Sequence, residues 1–524
     1  MKKLSLLRSQ RMQYYVAYSV MFAILTIFVF WWFIFQGRTF VWKEDGFRYH
    51  INSLVYVAKY LRRLFRSFLL THKIVIPQWD FNIGEGTDVL MAQHYFMLGN
   101  LLALPAVFVP SRYMYIYFNI MVLAHIYIAG ICFSNLCFYT GKSNRIAVLA
   151  GSITYSFSYW ALYNVCRHVC FLIPLVWFPL LIIGVEKIIR CDRPYTFIIS
   201  VACAAISNFY YFYVMALLSI LYVGIRLVYK YRCDVFLIIK MLLKLLLPAV
   251  FGVGIAAIIF LPVLYIFISD FRKGKAENLI LYPLAYYLKL PSLLFSSTDS
   301  YWFCASSSAP AILGVYCLLC RKGNGLFKVM LIACAIIASF PFLGALFNGF
   351  AYRTNKWSWV FSLLCAYILV VEWQEMQSLT VKQLFGFFSF FFIYMSILLF
   401  SDKYIYAQSV VKRISLAMII QLYILGCFIL AIKLQQIQPL IRISLCLLLI
   451  GASIFFNAYF KFSPNQEAYS SAFMTSKELD KLLNNETVDI KKALANDLQD
   501  CEDYSFFRWS GRGMTARASP SVSI

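Results

Sequence analysis

The sequence has few charged residues, and acidic residues are the scarcest of them. Only 13% of its 524 residues are charged, with 47 Lys and Arg against 23 Asp and Glu. Soluble globular domains are about a quarter charged, so this composition excludes that class, and a 62% hydrophobic content indicates a membrane protein. The formal net charge of +24 does not indicate nucleic-acid binding, because the basic residues fall in short loops between apolar runs.

Three familiar patterns are also missing. The first apolar run, 14–35, is longer than the core of a signal peptide and lacks a small-residue cleavage site, so we expect a retained span. No repeat of fixed period occurs, which argues against a solenoid or an inverted-repeat transporter. Cys-x-x-Cys pairs do not recur among the fifteen cysteines, so neither a zinc module nor a disulfide framework is predicted.

Apolar runs long enough to cross a bilayer make up most of the chain. A span needs about 20 apolar residues, and we expect about thirteen spans in an all-α polytopic membrane protein. Polar Ser207-Asn208 divides one long run into two short spans that meet in a turn. The predicted spans are 14–35, 113–138, 146–164, 170–190, two within 195–229, 235–267, 309–320, 327–347, 357–373, 382–400, 411–432 and 439–460.

The distribution of Lys and Arg predicts the orientation of the chain. The short loops at 141–145, 186–193, 230–232, 321–322 and 433 are basic or mixed, as cytoplasmic loops are. We therefore expect a multi-pass cell-membrane protein with a cytoplasmic N terminus, 1–12, and a membrane domain, 13–460. Within it, 36–112 forms a large extracytoplasmic first loop containing interfacial helices.

The region 461–524 is predicted to be a short extracytoplasmic C-terminal region. It is polar and charged, with a helical pattern over 476–498. The last stretch, 509–524, has no core-forming pattern and has the character of a truncated or altered end. Sixty-odd residues are a marginal length for an independent core.

Adjacent carboxylates follow the first span directly. Glu44 and Asp45 would lie at the membrane–water interface, where a carboxylate can deprotonate an acceptor hydroxyl or bind a divalent ion that carries a phosphate. The alternative is a solvated turn, because Asp-Gly is a common turn dipeptide.

The next segment, 49–70, has the period of an amphipathic helix lying in the headgroup plane. Its cations include Arg62 and Arg63, and cations on the outer face go against the inward bias of Lys and Arg. Simple attraction to anionic lipid is one interpretation, and binding of a phosphate-bearing substrate is the other.

A glycine-containing acidic loop, 77–86, follows this helix. Asn82 and Glu85 add acceptor groups there, although a structural turn is the simpler interpretation because no strand–helix context frames a phosphate loop. His94, just beyond, is a candidate ligand or base, and a satisfied polar residue is its ordinary alternative.

Three smaller polar groups are predicted on the same outer side. Arg167 and His168 form a tight turn between spans, and Asn208 lies at the outer turn of the long apolar stretch. Arg353 and Lys356 precede a span beside an aromatic residue, which suits either anion binding or interface anchoring.

Together these elements resemble, in their order, the bacterial YfhO-type membrane proteins, a branch similar to the GT-C glycosyltransferases. The resemblance covers roughly residues 10–460, and its specificity lies in the ordered set rather than in one motif. It rests on Asp45-Gly46, 77–86, the His168 turn, 177–180 with 184–187, 207–210 and 353–357.

The resemblance implies many membrane helices and a catalytic carboxylate in the first outer loop, for which Asp45 is the matching position. It also implies a polyprenyl-phosphate-linked sugar as donor and a cell-envelope polymer, such as teichoic acid, as acceptor. Family members usually have a longer outer C-terminal region, so the short region here puts acceptor recognition in doubt.

We therefore expect an inverting glycosyltransferase in which Asp45 is the general base, supported by Glu44 or His168. A divalent cation is compatible with this scheme but not required, no metal site is predicted, and the partners are the lipid bilayer, the lipid-linked sugar and the envelope acceptor. A transporter or flippase of lipid-linked substrates, and a non-catalytic envelope-assembly protein, are the alternatives. The candidate substrate-binding residues are Arg62, Arg63, Asn82, Glu85, His94, Arg167, Asn208, Arg353 and Lys356.

Overall fold

The computed structural model describes residues 2–73, 75–81, 83, 86–269, 280–400, 405–434, 436–462, 467–485, 508–509 and 522–523. Helices dominate this part of the chain, as its composition predicts. The α-helices, α1 to α21 in chain order, are Lys2–Val29, Trp31–Phe35, Asn52–Thr71, Val89–Gln93, Met114–Tyr139, Arg145–Ser156, Tyr159–Val165, Ile173–Ile189, Tyr195–Ser207, Phe209–Tyr231, Val235–Ser269, Leu284–Leu293, Ala309–Cys320, Gly325–Ser339, Pro341–Leu346, Trp359–Glu372, Val381–Phe400, Gln408–Lys433, Pro439–Phe462, Glu467–Ser470 and Ser476–Asn485.

Short elements of other types connect these helices. A π-helix, Gly46–Ile51, leads into α3, and 3-10 helices occur at Leu101–Phe108, Ser111–Tyr113, Val169–Leu172 and Glu375–Ser378. Three two-stranded antiparallel sheets pair β1 (Arg38–Trp42) with β4 (Phe473–Thr475), β2 (Trp79–Asp80) with β3 (Thr87–Asp88), and β5 (Arg508–Trp509) with β6 (Val522–Ser523).

Eight helices of the described chain are long and apolar enough to cross a membrane, and a ninth span results if one bent pair counts as one. The protein is thus an all-α multi-pass membrane protein, as predicted, whereas the number thirteen stays a prediction. The segment Val169–Ile189, which contains α8, is buried along most of its length and forms the centre of the bundle. By contrast α11 is mostly exposed, which suits a helix that faces lipid.

Several predicted spans are broken in the structure. The run 146–164 is not continuous, because α6 ends at Ser156 and α7 begins at Tyr159. The predicted break at Ser207-Asn208 is confirmed, since α9 ends there and the Asn208 side chain caps α10 by accepting from the Tyr211 backbone N–H. Helices α13 and α14 meet at 115°, and the end of the predicted span 327–347 forms the separate short helix α15.

The first loop and the C-terminal region lie on the same face of the bundle. Strand β1, which follows the first span, pairs with β4, which follows the last, and Arg38 opposes Thr475. Two segments on one face of a membrane are separated by an even number of crossings. Together with the first span, which precedes β1, this pairing therefore fits any odd total. We call the face that carries 36–112 the first-loop face. Of the predicted helix 476–498, α21 forms the beginning, and 486–498 lie outside the described residues.

The predicted interfacial helix is present as the π-helix followed by α3. Its inner side is fully buried at Leu54 and Val57, whereas Phe65 and Phe68, on the same predicted stripe, are exposed. The helix therefore packs against protein at its beginning and offers apolar side chains to lipid at its end, as a headgroup-level helix does.

Candidate functional site

Asp45 and His168 come together on the first-loop face although they are 123 positions apart in the sequence, with helices α5, α6 and α7 between them. The Asp45 Oδ2 atom is 3.8 Å from His168 Nε2, with 43% of the Asp45 side chain and 15% of the His168 side chain exposed. His168 Nδ1 in turn lies 3.2 Å from His50 Nε2, and His50 is fully buried. The three side chains therefore form a line from buried His50 through His168 to the partly exposed carboxylate of Asp45.

Burial, with neighbouring cations as a smaller contribution at His168, keeps the two imidazoles neutral. Burial lowers the pKa of His50 to about 4. Burial also lowers the pKa of His168 well below its usual value, with further lowering by His50, Lys356 and Arg167. Both rings are therefore neutral near pH 7. In the tautomer in which His50 Nε2 carries the proton and donates to His168 Nδ1, the ring proton of His168 is on Nε2, the atom that faces Asp45. This tautomer directs a donor toward the carboxylate.

Arg167 lies beside this line and is held by aromatic rings. Its guanidinium donates to the Tyr163 hydroxyl at 2.7 Å and stands 5.0 Å from the Trp42 ring centre. Lys461, at the end of α19, contacts two rings that Arg167 also contacts. Its ammonium is 4.8 Å from the Tyr163 ring centre and 4.6 Å from that of Tyr469. Two cations that the chain places 294 positions apart are thus joined by shared cation–π contacts.

Lys356 completes the cluster on the other side of His168. Its ammonium donates to the Tyr352 hydroxyl at 2.7 Å and faces three further rings within 5.6 Å. Two of those rings also pack against the His168 ring, at 4.7 Å for Phe171 and 5.8 Å for Trp302. We call Asp45, His50, Arg167, His168, Lys356 and Lys461 the outer cluster.

The three cations of the outer cluster are not in direct contact with a carboxylate of the described residues, and Asp299 acts on Arg167 and Lys461 only from farther away. Within the described part of the chain, no carboxylate oxygen lies within 4 Å of Arg167, Lys356 or Lys461, and the buried Nε of Arg167 makes no hydrogen bond there. Buried cations are normally paired, because desolvated charge is costly. An arrangement of this kind is typical of a site for an anion. Among the described residues, no group of three or more His, Cys, Asp or Glu could hold a metal ion.

Three predicted site residues have other partners in the structure. Glu44 forms an exposed ion pair with Arg48 at 3.2 Å. The Arg62 guanidinium donates to backbone carbonyls of the 3-10 helix Leu101–Phe108 and its C-cap, including that of Val107 at 2.7 Å. Arg63 lies 3.6 Å from Asp80. Their charges therefore stabilise the first loop, and the structure does not bring them into the outer cluster.

The loop 77–86 closes the small hairpin of β2 and β3, in agreement with the structural-turn interpretation. Gly86 has φ +93°, and an added Cβ would lie 2.9 Å from the Phe81 ring, so the turn requires glycine. Asn82 and Glu85 lie outside the described residues.

Two further candidates join elements of the fold. His94 is buried, with Nε2 2.8 Å from the Ile206 carbonyl, and burial lowers its pKa to about 4. Asn208 donates to the Tyr95 carbonyl at 2.6 Å. Both contacts fasten the first loop to the turn between α9 and α10. Arg353 stands 5.4 Å from the Tyr301 ring, next to the outer cluster in sequence.

Sequence reasoning missed His50 and Lys461. His50 is hidden in the amphipathic pattern of 49–70, and its partner His168 is 118 positions away. Lys461 follows a long apolar span on the face predicted to be extracytoplasmic. A cation in that position departs from the inward bias of Lys and Arg, and this departure is the signal by which Lys461 could have been predicted as a site residue.

The fold and this site define a class: an all-α multi-pass membrane protein that gathers at one membrane face a carboxylate–histidine pair and cations without a carboxylate contact in the described part of the chain. The family model described as bacterial membrane protein YfhO matches residues 18–503. The chain therefore belongs to the YfhO family.

One curated relative is the uncharacterized protein YfhO of Bacillus subtilis (strain 168). It is 24% identical to this chain over 252 residues, which cover 46% of this chain and 27% of that relative. The chain thus matches about a quarter of the relative's length. No solved structure matches the chain.

Proposed function

We propose that this protein is a membrane glycosyltransferase that moves a sugar from a polyprenyl-phosphate donor to a hydroxyl of a cell-envelope acceptor, such as teichoic acid, on the first-loop face. The single observation that carries the proposal is the pairing of Asp45 with His168 beside three cations that no carboxylate of the described residues contacts within 4 Å. A base and an anion site at the membrane surface are the two features that such a transfer requires.

In this reaction Asp45 accepts the proton of the acceptor hydroxyl while the hydroxyl oxygen forms a bond to the anomeric carbon. The bond between that carbon and the phosphate oxygen breaks, and the lipid phosphate leaves with the electron pair. His168 stays neutral and holds Asp45 through its Nε2 proton. The present 3.8 Å separation is longer than a hydrogen bond, and such contacts often tighten when substrate binds.

The cations of the outer cluster act on the leaving group. A phosphodiester with one negative charge becomes a phosphomonoester with two, so the charge near Arg167, Lys356 and Lys461 increases in the transition state. Groups placed in advance around that developing charge stabilise the transition state more than the ground state. A divalent ion is not required for this stabilisation.

A transporter or flippase is less well supported. Transport paths place charges at mid-span, whereas the charged groups buried in the described helices, such as Glu186 and Glu372, lie at or near helix ends. An interfacial reaction agrees better with that distribution.

The test uses a bacterial strain lacking the protein, complemented with wild type, Asp45→Asn or Arg167→Gln, with envelope glycans followed by mass spectrometry. We expect wild type to restore the lost glycan and each variant to restore less than a hundredth of it. Exposed Asp480 and Arg66 on the same face provide the controls Asp480→Asn and Arg66→Gln, which should match wild type. Full restoration by Asp45→Asn, with equal protein in the membrane, would refute the base assignment and favour an assembly role.

A further inference from the structure

A cavity of about 320 Å³ opens at the end of the bundle opposite the outer cluster. Its walls come from α5, α8, α10, α14 and α16. Helix α8 is joined to His168 by the 3-10 helix Val169–Leu172 and runs 17 residues before its end at this cavity, a length of about 26 Å. The cavity is therefore separate from the proposed catalytic site, and the charge distribution predicts that its open end is cytoplasmic.

The lining changes from polar to apolar with depth. At the mouth are Lys142, Glu186, Arg190 and Arg226, all near the ends of their helices or in the adjoining loop. The deeper wall consists of apolar side chains such as Phe178. Between Glu186 and Phe178 helix α8 rises eight residues, or about 12 Å.

The mouth carries excess positive charge. Arg226 forms a two-point ion pair with Glu186, at 2.6 and 3.1 Å. Arg190 is 3.9 Å from the same carboxylate, which is the only acidic group among the described residues that line the cavity. Lys142 stands 5.9 Å from the Tyr367 ring, and within the described chain its ammonium has no hydrogen bond or ion pair. Among the described residues that line the cavity, three cations thus accompany one carboxylate.

We propose that this cavity binds a phospholipid with an anionic headgroup, placing one acyl chain against the apolar wall and the phosphate at Lys142 and Arg190. Free phosphate would leave the apolar depth unused. A polyprenyl chain is much longer than the cavity is deep. The depth of about 12 Å between Glu186 and Phe178 instead approaches the ~15 Å thickness of one leaflet's hydrocarbon layer, which a phospholipid acyl chain spans. The cavity's size also lies at the lower end of ligand-binding pockets.

The outer wall gives the lipid a route of entry. Helix α14 contributes Met330, Ala333 and Ile337 to the cavity, while Val329, Ile332 and Ile336 on its other face are exposed. An apolar exposed face suits contact with bilayer lipid. Helix α14 therefore separates bilayer lipid from the cavity. An acyl chain can enter at the first turn of α14, where Leu326 and Phe327 line the cavity.

The test is native mass spectrometry of the full-length protein purified from nanodiscs that contain equal phosphatidylglycerol and phosphatidylcholine. We expect wild type to retain one phosphatidylglycerol per chain. Ala333→Trp fills the cavity and should lower retention at least fivefold, and Lys142→Gln should lower the preference for phosphatidylglycerol about threefold. Lys322→Gln removes an exposed cation on the same face, outside the cavity, and should behave as wild type.

Equal retention by wild type and Ala333→Trp would overturn the proposal, as would retention of added polyprenyl phosphate in place of phospholipid, or displacement of the lipid by inorganic phosphate. A second measurement covers the case in which Ala333→Trp fails to fold. Phosphatidylglycerol with a photoreactive acyl chain, bound to the wild-type protein, should label the cavity side of α14 at Met330, Ala333 or Ile337. Labelling confined to exposed side chains, including Val329, Ile332 and Ile336 of the same helix, would contradict the proposal.

Discussion

The ion pair of Glu186 with Arg226 allows a quantitative test of the packing between α8 and α10. The Glu186 carboxylate is 3% exposed and accepts both N–H groups of Arg226 and the Tyr222 hydroxyl, at 2.6 to 3.1 Å. Replacing Glu186 by Gln sets an amide N–H against the guanidinium and leaves the cation without a counter-charge. Removal of one partner of a buried pair costs about 3 kcal/mol of unfolding free energy.

A double-mutant cycle separates the interaction from the individual losses. We expect Glu186→Gln and Arg226→Met each to destabilise by about 3 kcal/mol, and the double variant to be more stable than the sum predicts by about 2 kcal/mol. Unfolding in mixed micelles, followed by circular dichroism, measures all three. The matched control is Arg190→Gln, because Arg190 lies 3.9 Å from the same carboxylate but is 44% exposed. It should cost under about 1 kcal/mol.

A coupling energy below about 0.5 kcal/mol would refute this reasoning, because distant and independent sites already agree within that margin. So would a loss for Arg190→Gln equal to that of Arg226→Met. Either result would mean that the carboxylate is solvated in the native state, and that the cavity mouth is wetter than the structure indicates.

Three further outcomes are expected. Gly99→Ala places a Cβ 1.7 Å from a carbonyl oxygen of α9 and should destabilise by about 2–3 kcal/mol, whereas Gly224→Ala meets open space and should stabilise by about 0.5 kcal/mol; thermal melts compare the two. Because the pKa of His50 is lowered from 6.5 to about 4, the unfolded chain binds a proton first as pH falls. Stability should therefore be full above pH 6.5 and decline by up to about 3 kcal/mol toward pH 4, and His50→Phe should flatten that decline in melts across pH. Arg62→Met should cost about 2 kcal/mol and speed hydrogen exchange in the following 3-10 helix, while Arg63→Met, with its more exposed pair, should cost under about 1 kcal/mol.

Membrane crossings could be predicted from the sequence because hydrocarbon requires long apolar runs. The break at Ser207-Asn208 was also predictable, since an asparagine that can cap a helix interrupts the run. The break after Ser156 was not, because Phe157 and the residues around it continue the apolar pattern. There the chain bends through tertiary contacts, such as the bond from the Tyr159 backbone N–H to the Ser306 carbonyl, that no local pattern reveals.

The candidate site, like the fold, could be predicted from the sequence only in part. Asp45, Arg167, His168 and Lys356 were identified because a charged group beside an apolar span is conspicuous, and the structure brings them together. Arg62 was equally conspicuous, yet its guanidinium is engaged by carbonyls of a 3-10 helix some 45 positions away. Sequence reveals that a charge is present but not which partner it meets, and that partner decides between an architectural and a functional role.

Pairing of β1 with β4 also has a consequence for biosynthesis. The Arg38 guanidinium donates to the Phe473 carbonyl, 435 positions later in the chain. At about 5 to 20 residues per second, a ribosome needs roughly 20 to 90 s between making the two strands. During that interval β1 has no partner strand, and Arg167 lacks the ring of Tyr469. Completion of the outer cluster therefore waits for the last span to be inserted, because Lys461 and the Tyr469 ring join the other cations only then.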